Sequence, residues 1–81
     1  MNNRQIKLIW DFKGTEAEKI AAHHEQHLKE YIAAEDLQIA ITGHKTLSPL
    51  HSIAYLVVPE SDMLKIRDLL KPHRGEVYTD I

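Results

Sequence analysis

The chain has 81 residues, a formal charge of −2 with its histidines neutral, and no cysteine. That length suits one domain, residues 1–81, and buries only roughly 60–65% of the surface the unfolded chain exposes. The composition excludes disulfide staples and thiolate chemistry, and the scattered Lys and Arg give no basic footprint for nucleic acid.

Read from its start, "QIKLIWDF" alternates, with Ile6, Leu8, Trp10 and Phe12 on one face and Lys7, Ile9 and Asp11 on the other, which predicts a strand. In "KGTEAEK", Gly14 turns the chain and Thr15 with Glu18 forms a T-x-x-E capping box. A helix over 16–34 follows, its stripe made of Ala17, Ile20, Ala21, His24, Leu28, Tyr31 and Ile32. "LQIAITGHK" predicts a second strand with Leu37, Ile39 and Ile41 in phase, and "KTLSPL" carries a Ser-Pro turn signal. "HSIAYLVVP" is a third strand, apolar on both faces and so expected to be covered on both. "ESDMLKIRDLLKP" predicts a second helix with Ser61 as N-cap, an apolar stripe of Met63, Ile66, Leu69 and Leu70, and Pro72 beyond its end. "GEVYTDI" suits a short last strand.

The order β-α-β-β-α-β is that of an α+β fold and resembles the ferredoxin-like plait, a four-stranded antiparallel sheet, order 4-1-3-2, with both helices on one face. The stretches "KLIWDF", "HHEQHLKEY" and "LKPHRG" resemble a group of small uncharacterised bacterial proteins. Dimeric plaits of this kind are similar to dimeric α/β-barrel proteins and to small-molecule-sensing regulatory domains. That resemblance implies a pocket between sheet and helix or at a subunit junction.

With two helices on one sheet face, the other face is expected to expose Ile9 and one apolar set of the third strand, which predicts a two-fold homodimer, sheet face on sheet face or strand edge on strand edge. No apolar run approaches the roughly 20 residues that span a bilayer, and "MNNRQIKLIW" lacks a signal-peptide pattern, so a cytoplasmic protein with no membrane partner is expected.

Six histidines are the unusual feature, since protonating all of them carries the formal charge from −2 to +4. His23 and His27 stand at i,i+4, and His24 and His27 at i,i+3, spacings that bring side chains onto one helix face. The string H-H-E-Q-H departs from H-E-x-x-H, because His24 holds the place of the glutamate. His23, His24 and His27 are therefore weak metal candidates: His24 reads as packing with one hydrogen bond, His23 as surface, and His27 as the margin of a cleft.

The plait's topology gathers Trp10, Asp11, Phe12, His44, His51, His73 and Arg74 at one edge. Trp10, Asp11, His27, His51, His73 and Arg74 are the candidate ligand residues, because protonated imidazole and guanidinium suit a small anion. The leading expectation is thus a binding domain for a small anionic ligand, with no cofactor. The alternatives are a cofactor-free enzyme using histidine acid–base chemistry beside Asp11, with Ser48 and Ser52 near histidines but in no nucleophile motif, or a histidine metal site.

Overall fold

A computed structural model describes residues 4–37 and 40–78. The elements are β1 (Gln5–Lys13), α1 (Ala17–Glu35), β2 (Ile41–Ser48), β3 (His51–Pro59), α2 (Glu60–Leu70) and β4 (Arg74–Tyr78). The strands form one sheet in the order β2-β3-β1-β4, and all three neighbouring pairs are antiparallel. This is the ferredoxin-like plait expected from the element order. The expected phase of Ile39 lies outside the described residues.

Strand alternation builds the core. Ile6, Leu8 and Trp10 of β1 and Ala54, Leu56 and Val58 of β3 share the face on which Ala21 and Leu28 of α1 and Ile66 of α2 pack. Each large apolar side chain buried there contributes roughly 1.5–3 kcal/mol. The helical stripes are narrower than their spacing suggests: Ile20 stays 45% exposed and Leu69 58%. Two helices resting on a flat sheet touch it along a line, so residues at the stripe's flank remain in water.

Both helix starts differ from expectation. Glu16 is the N-cap of α1 and makes no side-chain cap bond. The capping box does not form because the Glu18 carboxylate instead accepts a hydrogen bond from the Thr46 hydroxyl of β2, at 3.1 Å. Ser61 lies inside α2, whose N-cap is Pro59, the last residue of β3. The strand runs straight into the helix because the Glu60 amide donates to the Arg4 carbonyl (2.9 Å) and the Glu60 carboxylate pairs with Arg4 (2.6 Å). Gly14, at φ 114°, makes the turn after β1, and its amide donates to the Leu50 carbonyl at 2.8 Å, tying that turn to the β2–β3 connection. Between Thr46 and Ser48 the β2–β3 register shifts, leaving Leu47 as an unpaired bulge residue.

The helix-free face is not the apolar surface expected. Ile9 is 2% exposed, Ile53 4% and Val57 0%, all within one chain. Tyr55, on the same face, lies down over Gly43 of β2, where a Cβ would fall 2.3 Å from the phenol oxygen. The Lys7 ammonium sits 4.4 Å above the Tyr55 ring centroid, a cation–π contact. The apolar area on which a sheet-on-sheet homodimer was expected to rest is therefore already out of water. Gly43→Ala should drive the phenol off this face and destabilise the fold by about 1–3 kcal/mol, an overpacking cost. Chemical denaturation, with tyrosine fluorescence reporting the ring's new exposure, checks it. Unchanged stability in the Gly43→Ala variant would refute this role for the ring.

Candidate functional site

Antiparallel pairing places the end of β1 beside the starts of β3 and β4, and Asp11 becomes the hub. On β1 its side chain is in phase with Ile9, on the helix-free face. His51, two residues before Ile53 on β3, is in phase with that same face. The Asp11 carboxylate accepts a hydrogen bond from His51 Nε2 at 2.8 Å. It also accepts two from Arg74, from Nε at 2.9 Å and from one Nη at 3.1 Å. The fork matches a carboxylate's two oxygens. Chiefly the Arg74 hydrogen bond, with His51 assisting, holds the Asp11 carboxyl down at about 2. The carboxylate is thus ionised and accepts only, so His51 carries its proton on Nε2 and turns Nδ1 outward from the pair.

His73 joins through the backbone. The Asp11 amide donates to His73 Nδ1 at 2.8 Å, and the His73 amide donates to the Ile9 carbonyl at 2.9 Å. The imidazole takes the place of the next β4 carbonyl and closes the β1–β4 ladder. A neutral His73 with Nδ1 accepting bears its proton on Nε2.

Four of the sequence candidates, Asp11, His51, His73 and Arg74, thus lie together. Trp10 and His44 do not, because neighbouring positions on a strand project to opposite faces. Trp10 is 3% exposed in the core, and its Nε1 donates to the Leu70 carbonyl at 3.0 Å. His44 lies on the helix side, where its Nδ1 donates to Glu25 of α1 at 2.7 Å; Glu25 also accepts from the Thr42 hydroxyl at 3.1 Å. These bonds, that from His44 foremost, hold the Glu25 carboxyl below its ordinary value. Glu25 and Thr42 had no distinguishing signal in the sequence.

The helical histidines separate. His27 is exposed and bonded to His23, with Nε2 to Nε2 2.9 Å. His24 turns inward, its ring 4.8 Å from Trp10 and 5.5 Å from Phe12 by centroids. The expected single hydrogen bond is missing: His24 Nε2 is buried and has no partner among the described residues. Burial first, and the nearby His27, His73 and His23 next, lower its pKa. Among the described residues no three His, Asp or Glu side chains are grouped to hold a metal ion.

On the helix side, α2 packs over β1 and β3, leaving a groove of about 440 Å³ between itself and the edge strand β4. Ile6, Leu8, Met63 and Val77 supply its apolar lining, and Gly75 adds no side chain to fill it. Arg67, His73 and Arg74 stand along it, with the Arg4–Glu60 pair at one end. This groove depends on where α2 sits, which no sequence period encodes.

No family model, no curated protein and no solved structure matches this chain. Among the described residues, no helix is long and apolar enough to cross a membrane.

Two measurements probe this site. Replacing Arg74 with Ala should raise the Asp11 pKa from about 2 toward the ordinary carboxylate range. The associated stability loss should be on the order of 1 kcal/mol, since Arg74 is half exposed and solvent screens the pair. The sign follows from the depressed carboxyl: the stabilisation is full above the unfolded value near 4 and disappears as pH falls through about 2. Carboxyl-carbon NMR titration of both proteins reads it directly. For His24 the sense is also acid loss. Its folded pKa lies below its ordinary 6.5, so stability declines as pH drops below about 6.5 and levels off beneath the folded value. His24→Leu should remove that slope and add about 1 kcal/mol at neutral pH by eliminating an unpaired buried nitrogen, as urea midpoints measured from pH 5 to 8 would show.

Proposed function

We propose that the chain is a small-molecule-binding domain whose ligand has an apolar body and an anionic head, seated in the groove between α2 and β4. The observation that carries this is the donor character of the groove's polar corner. His73 has spent its acceptor nitrogen on the Asp11 amide, leaving an Nε2 proton to give. Arg74 lines the groove beside it, with its Nε and one Nη held by Asp11. Among the described residues, Arg67 has a long pairing with Asp68, at 3.5 Å, as its one ion pair. Arg4, Arg67, His73 and Arg74 outnumber the carboxylates Glu60 and Glu76 along the groove, which suits a carboxylate or phosphate, while Ile6, Leu8, Met63 and Val77 suit hydrocarbon or an aromatic ring. The volume is within the range of small-ligand pockets. A single chain builds the whole groove. The reading agrees with the small-molecule-sensing regulatory domains that the plait resembles, a likeness of fold alone.

A second reading, acid–base catalysis, is favoured by the 2.8 Å Asp11–His51 bond, which fixes the imidazole's tautomer. It is the weaker one. Arg74 shares the same carboxylate and draws its charge away from His51. Ser52 is turned to the helix side, where its hydroxyl donates to that of Thr46, and so does not accompany the pair.

Titration with octanoate, benzoate and phenyl phosphate, followed by methyl NMR, tests the binding reading. The Leu8 and Val77 methyls should shift, and the unfolding temperature should rise. Arg67→Ala should weaken binding roughly tenfold, the loss of one charge-assisted hydrogen bond. Gly75→Val should fill the groove and abolish binding, while its Cβ fits at 3.4 Å from Leu8 and the fold survives. Failure of all three probes at millimolar concentration, or undiminished binding by the Gly75→Val variant, would overturn it.

A further inference from the structure

The inward groups on α1 are accounted for by packing, whereas the outward pair His23 and His27 is not. Both residues are exposed, one helical turn apart, and their rings meet edge to face at a 64° interplanar angle with centroids 4.6 Å apart. What sets them apart is which atoms face each other: both Nε2 atoms, 2.9 Å from one another. One ligating nitrogen of each imidazole already faces its counterpart on the other.

We propose that His23 and His27 form a two-imidazole chelate for a divalent transition-metal ion of tetragonal or octahedral preference, Cu²⁺ or Ni²⁺, with water completing the shell. That separation is an imidazole–imidazole hydrogen bond whose proton a metal ion would displace; kept on binding, it suits one class of ion. Two nitrogens each about 2.0–2.1 Å from a metal and 2.9 Å apart subtend about 90° at it. That is the angle between adjacent ligands in square-planar and octahedral sites; a tetrahedral Zn²⁺ would need about 3.3–3.4 Å between them. Imidazole is a ligand of intermediate softness, and the divalent order of affinity places Cu²⁺ and Ni²⁺ high. No cysteine exists in the chain to compete for the ion. Bound metal would cross-link two turns of α1 in its folded form alone, so it should also stabilise the protein.

The test uses the full chain without an affinity tag. Copper chloride is titrated at neutral pH and followed by electron paramagnetic resonance, with nickel and zinc compared by calorimetry. The expected result is one equivalent of Cu²⁺ with two nitrogen donors, Ni²⁺ bound more tightly than Zn²⁺, and a raised unfolding temperature. His23→Ala and His27→Ala should each weaken copper binding roughly tenfold or more; both positions are exposed, so the variants should fold. His44→Gln should leave it unchanged. Copper affinity untouched by either alanine variant, loss of binding in the His44→Gln protein, or no uptake at millimolar ion would each overturn the proposal.

Discussion

Asp11 is the residue on which the far end of the sheet depends. It works in two directions at once. Its backbone amide gives a proton to an imidazole where a strand would offer a carbonyl. Its carboxylate gathers a second imidazole and a guanidinium from β3 and β4. Three strands that share no local sequence are thereby joined at one point. The joint sits where the β1–β4 ladder has run out of backbone partners, since β4 begins only at Arg74. Side chains thus continue a sheet that the main chain has stopped building.

The two faces of this joint differ in chemistry. On the helix-free side, Asp11 consumes the charge of Arg74 and sets the tautomer of His51. On the other, His73 packs near Phe12 and lines the groove between α2 and β4. Of the two carboxylates that line the groove, Glu60 is occupied by Arg4. On the open face Tyr55 lies across Gly43 beneath the Lys7 ammonium, and Ile9, Ile53 and Val57 beside it are buried.

Much of this was legible in the sequence. Alternation at Ile6, Leu8 and Trp10, helical spacing at Ala21 and Leu28, and the element order together give the plait, and antiparallel pairing then brings Asp11, His51, His73 and Arg74 to one edge. Parity went unread in that step: Trp10 and His44 reach the same edge but point to the opposite side. Ile20 and Leu69 kept their apolar character without finding a neighbour, because periodicity reports a stripe's direction and not its contact width. Nothing in "ITGHK" indicates that a tyrosine from the next strand lies over its glycine. The groove was equally hidden, since it is set by the rigid placement of α2 across β1 and β3, a matter of packing distance rather than of pattern.

The bulge at Leu47 has a bearing on how copies of this chain behave when crowded. β2 is an outermost strand, and a straight one eight residues long would offer its unpaired amides and carbonyls to a stranger. The extra residue bends its end and throws later positions out of step with any incoming ribbon, and Lys45 adds charge just before it. Geometry at this margin makes β2 a poor template for pairing with an incoming strand.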